Sequence, residues 1–199
     1  RGPDDAYYGK EICFVYHGYN GFAIYDISDL NNVQKLSSLS YAGQSYTHQG
    51  WLNCAQDTIF MGDETDETSY TKTIVLDIKK LSDPKVLKTH VGEATVVDHN
   101  QYSCGAFVYQ ANYEGGLRIL DGSQAPDNGG KMEEVAFFDI YPTRDAVSYK
   151  GAWNVWPYFP SGRVVVSDIS GGTAVVQPTN LLAQRRHRTV ASAGDGVCP

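Results

Sequence analysis

The chain has 199 residues and a formal net charge of −7. That length can bury a sizeable core, and the acidic balance argues against nucleic acid or an anionic membrane as partner, since either favours a basic face. No apolar run approaches the ~20 residues that a membrane span needs, and the RRHR cluster at 185–188 reads as a solvated strand edge or tail.

The chain opens RGPDDAYYGKEICF, with neither an initiator Met nor a charged-then-apolar leader, which reads as a processed or truncated start. Paired β-rich runs follow. KEICFVY and FAIYDI flank HGYNG, TIFMGDE and KTIVLDI flank a polar loop, FVYQANY and LRILD flank EGG, and RVVVSDI and TAVVQP flank SGG. Each pair is two apolar, β-branched or aromatic runs joined by a Gly-rich or polar connection, the pattern of a hairpin. A further strand is expected after each second run, in VQKLSSLS, KVLKTHV, EEVAFFDIY and HRTVAS.

The unit then restarts, at SYTHQGWL, VVDHNQYS and GAWNVWPYF. No stretch beyond about ten residues keeps a helical period. The expectation is an all-β chain, a β-propeller of four-stranded antiparallel blades with about four blades present. The units run over about 1–43, 44–94, 95–147 and 148–190, with blades to residue 180 and the last strand and tail over 181–199. The first unit lacks its opening strand. An open fan exposes two strand edges, so a missing segment or another chain is expected to cover them.

The restart segments place His48, His99 and Trp153 at matching positions, the two histidines 51 residues apart. Inner strands line a propeller's channel, so His48, His99, Asn100, Asn112, Trp153, Asn154 and Asp168 are the candidate lining and binding residues. A histidine pair with nearby carboxylates suits a transition metal. The plainer role, and the one the sequence favours, is a hydrogen bond from each ring to backbone or to a neighbouring blade. The acidic run GDETDE offers Asp63, Glu64 and Asp66 as hard oxygen ligands, and calcium is the ion that suits them, against the plainer reading of a solvated loop. No GxSxG elbow accompanies Ser167, Asp168 or Ser170.

Of the aromatic residues in the restart segments, most are expected to pack between blades, with WNVWPYFP the exposed patch. Cys54 and Cys104 lie in short turns of consecutive units and are the candidates for a bridge. Separated, even-numbered cysteines lean towards an oxidising compartment.

Taken together, YTHQGWL, GDETDE, DHNQY, VYQANYEGGLRILD and GAWNVWPYFPSGRVVVSDISGG resemble the choice-of-anchor B family, whose members carry LVIVD-type propeller repeats. The likeness runs from about Gly2 to Pro178. It implies a propeller at the cell surface or secreted, and no reaction. The expected role is a non-enzymatic binding or structural module for protein or glycan partners. A metal-dependent hydrolase with a His/carboxylate site in the channel is the alternative, and a subunit completed by a partner chain is a third.

Overall fold

In the computed structural model the described residues are Tyr7, 9–65 and 70–179. They form fourteen strands in four antiparallel sheets, each an up-and-down meander. The first sheet holds β1 (Ile12–Tyr16), β2 (Phe22–Asp26) and β3 (Gln34–Leu39). The second holds β4 (Thr47–Leu52), β5 (Thr58–Asp63), β6 (Lys72–Asp77) and β7 (Lys85–Val91). The third holds β8 (Asn100–Cys104), β9 (Phe107–Ala111), β10 (Leu117–Asp121) and β11 (Glu133–Phe138). The fourth holds β12 (Ala152–Trp156), β13 (Val164–Asp168) and β14 (Gly172–Val176). The expected last strand in HRTVAS lies outside the described residues.

The sheets stack as blades because the period-2 alternation of each strand supplies both faces with apolar side chains. In β5, Ile59 and Met61 join Ile74 and Leu76 of β6 against Phe22 and Ile24 of the first sheet. The intervening Phe60 and Val75 point the other way, onto Val108 and Leu120 of the third. The third sheet's opposite face, with Tyr109, Leu117 and Ile119, packs on Val155, Val164 and Val166 of the fourth. Each sheet covers the next, and the middle two are apolar on both faces. The outer strands β3, β7 and β11 have no fully buried residue; β3 and β7 are mostly polar, and β11 leaves Phe137 open to solvent.

The first strands β4, β8 and β12 run side by side along the inner edge of the fan. Gly50 in β4 allows a close approach there, since a Cβ would stand 2.7 Å from both the Phe60 carbonyl and the Tyr16 ring. Polar clasps join the inner strands. The Gln49 amide donates to the Gln101 carbonyl and accepts from the Gln101 N–H, both at 2.8 Å. This mimics a peptide pair and satisfies groups that burial would otherwise penalise.

Two inner strands carry a bulge where they start. Pairing jumps from Thr47 to Gln49 in β4 and from Ala152 to Asn154 in β12. His48 and Trp153 are therefore the extra residues, and a bulge re-aims its side chain out of the ladder. This is the feature of the fold that builds the site.

Candidate functional site

Equivalence of His48, His99 and Trp153 is visible in the register. Gln49 pairs with Gly62, Asn100 with Ala111, and Asn154 with Ser167, and each follows one of the three residues. His48 sits in the β4 bulge and His99 just before β8. Their rings stack with centroids 4.5 Å apart and planes 23° off parallel. Trp153 lies against the other side of His99, again at 4.5 Å.

Glu64, the first residue after β5, is tied by its N–H to the Tyr46 carbonyl at 3.0 Å. Its side chain enters the histidine pair. Glu64 Oε2 is 3.0 Å from His48 Nδ1, and Oε1 is 3.6 Å from His99 Nε2. The Tyr113 hydroxyl donates to Oε1 at 2.8 Å. His99 Nδ1 donates to the Trp153 carbonyl at 2.6 Å, and the Asn100 amide donates to the same oxygen at 3.0 Å. A carbonyl only accepts, so the proton sits on Nδ1 and a neutral His99 ring turns its Nε2 lone pair towards Glu64.

His99 is buried, while Trp153 beside it is 44% exposed, so the cluster lies just inside the surface. Burial pushes the His99 pKa below the ordinary histidine value, with His48 adding to the effect and the Trp153 carbonyl and Glu64 opposing it. Burial also raises the Tyr113 phenol, and its bond to Glu64 raises it further. Among the described residues, His48, Glu64 and His99 have donor atoms all within 4.8 Å of one another, close enough to share one ion.

Other candidate residues have different employment. Asp63 is buried and accepts from the Ser45 N–H at 2.7 Å, the Tyr46 N–H and the Tyr41 hydroxyl at 2.8 Å. Its carboxylate closes the 41–46 loop, apart from the histidine pair that Glu64 meets. Asp66 lies outside the described residues. Asp168 pairs with Ala152 as Asp63 pairs with Thr47, and it accepts from the Ser170 and Gly171 N–H groups. It shapes the β13–β14 turn and is not in the cluster.

Asn112 is buried in an amide network, donating to Gln110, which donates to Thr73 and Gln101. Asn154 accepts at its backbone carbonyl from Ser167 Oγ at 3.3 Å, and its buried Oδ1 has no hydrogen-bond partner among the described residues.

The expected pairing of Cys54 with Cys104 is corrected. Cys104 is a buried free thiol, pushed by burial up to about 11. Leu52 pairs with Ile59 and Ser103 with Val108, so Cys104 matches Asn53, and Cys54 matches Gly105. A one-residue offset turns a side chain to the opposite face. Cys104 points into the apolar cluster of the third and fourth sheets, while Cys54 is exposed, its Sγ 3.9 Å from the Gly105 carbonyl. Cys13 is also a free thiol.

Tyr113 and Gln49 were not among the sequence candidates. A signal for Tyr113 exists. Thr58 opposite Asp77 and Phe107 opposite Asp121 begin matching second strands, and counting from them places Glu64 and Tyr113 at one position of the repeat.

No family model matches the chain, and no curated protein matches it. It is similar in structure to a protein from Lactobacillus plantarum, with a TM-score of 0.55 and 11% identity over 83% of this chain and 53% of the other. It is also similar to a functionally unknown protein from Desulfotomaculum acetoxidans, with a TM-score of 0.54 and 12% identity over 85% of this chain and 61% of the other. The chain therefore spans between half and two thirds of the length of these structures. At such identities the likeness concerns the fold alone, and it agrees with an all-β propeller arrangement. No helix among the described residues is long and apolar enough to cross a membrane.

Proposed function

We propose that this chain is a propeller binding module, secreted or at the cell surface, that meets a protein or glycan partner on the inner-strand face of the fourth sheet. The observation that carries this reading is the set of half-exposed rings there. Trp153, Trp156 and Phe159 are 44%, 46% and 41% exposed, and Tyr149, whose ring meets Tyr113 at 5.2 Å, is 47% exposed. Large rings left open along one strand and its exit are the residue types that anchor partners. The WNVWPYFP segment is thus open at three of its rings, and its Tyr158 is tied down by a hydroxyl bond to the Ser103 carbonyl at 2.7 Å. The surface placement is supported by the likeness of its motifs to the choice-of-anchor B family.

The test is a screen of the immobilised chain on glycan and extracellular-protein arrays, repeated with Trp153→Ala combined with Trp156→Ala. The reading expects partners of the parent chain to lose at least about tenfold in affinity, the scale of one hot-spot residue. Equal binding by the variant, with melting temperature preserved, would remove this face from the account.

The His48, Glu64 and His99 cluster favours a second reading, a metal-dependent hydrolase. It expects turnover of an activated ester or phosphoester that chelation and Glu64→Gln both abolish. Both oxygens of Glu64 already have partners in Tyr113 and His48, so the carboxylate is placed better as a ligand than as a free base.

A further inference from the structure

We infer that His48, Glu64 and His99 form a binding site for one divalent transition-metal ion of the zinc class. The inference goes beyond the binding-module reading and does not depend on it.

The first ground is proton bookkeeping. His99 spends its Nδ1–H on the Trp153 carbonyl, and the remaining nitrogen faces Glu64 Oε1 at 3.6 Å. That oxygen already receives the Tyr113 proton. Two acceptors thus face each other at a distance with no hydrogen between them. A cation placed there satisfies both lone pairs at once, and the buried histidine need not be protonated.

The second ground is spacing. Tetrahedral ligands about 2.0–2.2 Å from an ion stand roughly 3.4 Å from one another. The two nitrogen–carboxylate separations, 3.0 and 3.6 Å, bracket that value. The third is the outer shell. Metal-bound histidines characteristically donate their other N–H to a carbonyl or carboxylate, and ligating carboxylates are themselves hydrogen-bonded. The Trp153 carbonyl does the first for His99 and the Tyr113 hydroxyl does the second for Glu64.

The donor set also selects the ion. Two imidazoles and one carboxylate suit zinc and its first-row neighbours, whereas calcium asks for six to eight oxygens. Three protein ligands leave a position for water or for a donor atom of a partner, beside the exposed Trp153. The ion would join sheets as well, since His48 and Glu64 come from the second and His99 enters the third.

The experiment is a titration of the untagged chain with Zn²⁺ alone, by calorimetry and by equilibrium dialysis with elemental analysis. One ion per chain is expected, with micromolar or tighter affinity, and excess Ca²⁺ should not displace it. His99→Ala and Glu64→Gln should each weaken binding by at least about 100-fold, beyond the 10–100-fold range of outer-shell changes, while Tyr113→Phe should fall within that range. Circular dichroism separates misfolding from lost binding. A second readout avoids the ligands altogether. Co²⁺ should quench tryptophan fluorescence, and Trp153→Phe, which keeps the backbone carbonyl, should remove most of the quench and leave the stoichiometry at one. Absence of Zn²⁺ binding overturns the inference. So does a stoichiometry that folded His99→Ala keeps, or equal competition by Ca²⁺.

Discussion

Asp63 and Glu64 are adjacent carboxylates with separate roles, and the reason lies in the strand end. Successive side chains leave a strand on opposite sides, so Asp63 turns to the N–H groups of Ser45 and Tyr46 and Glu64 turns to the histidines. Substituting Asp63→Asn puts an amide donor against those N–H groups. The expected loss is about 1–3 kcal/mol, the cost of leaving buried polar groups unmatched, read from urea denaturation. Glu64→Gln should change stability far less.

The histidines set a pH dependence of definite sign. Burial holds both His90 and His99 below the ordinary value of 6.5. The unfolded chain therefore binds more protons than the folded one once the pH falls below about 6.5. Their contribution is fully present above that pH and is lost as the pH drops towards the lower folded values. The urea midpoint should accordingly be lower at pH 5.5 than at pH 7.5, and His90→Gln should remove part of the difference. An unchanged slope would contradict the burial argument.

At the scale of elements, the segment that leads into β12 is held by one buried acid. Glu114 is fully buried and accepts from Arg144 Nε at 3.0 and 3.1 Å, from Arg144 Nη2 at 2.8 Å and from the Ser148 hydroxyl. Burial pushes its carboxyl up, and the bonds from Arg144 and Ser148 outweigh that and hold it below the usual range. Just beyond, Gly151 has a positive φ of 86°, and a Cβ there would stand 2.4 Å from the Tyr113 carbonyl. Tyr113 and Ala152 exchange backbone bonds at 2.8 and 3.1 Å. This clamp fixes Tyr113 and the Trp153 carbonyl together. Arg144→Ala should cost about 1–3 kcal/mol, since it leaves a buried carboxylate short of donors. It should also speed amide exchange over 141–153 while the β5–β6 core stays protected. Uniform loosening would argue against a local clamp.

The strands were legible in the sequence because alternation and turn signals coincide, as in TIFMGD or LRILD. The histidine level was legible because the repeat marks it. The bulges at His48 and Trp153 were not, because an unpaired extra residue leaves no compositional trace. Cys54 and Cys104 show the same limit. They lie in matching segments, yet one residue of offset leaves Cys104 at the end of β8 facing the core and Cys54 in the turn, exposed. Glu64 was legible as a candidate ligand, but the acidic run hides that its neighbour Asp63 closes a loop.

At the scale of the molecule, the four sheets form a fan in which each blade shields the next. Within it the described part of the fourth sheet ends at β14, where Val175 is 63% exposed. Along the inner edge β12 links two groups of rings, with Trp153 against His99 and Trp156 against Tyr158. One end of the inner strands gathers His48, His99 and Glu64 with Tyr113 behind them. The other carries Trp51, Tyr102, Tyr158 and Trp156, with Trp51 and Tyr102 4.8 Å apart and Trp156 and Tyr158 4.9 Å apart.

At the first of these ends, groups from two sheets converge. The most direct measurement is anomalous diffraction, at energies above and below the zinc edge, from crystals grown with Zn²⁺. One strong peak is expected about 2.0–2.2 Å from His48 Nδ1, His99 Nε2 and a Glu64 oxygen, with His99 Nδ1 still bonded to the Trp153 carbonyl. Zinc found only at other side chains, with these three left as they stand, would contradict it.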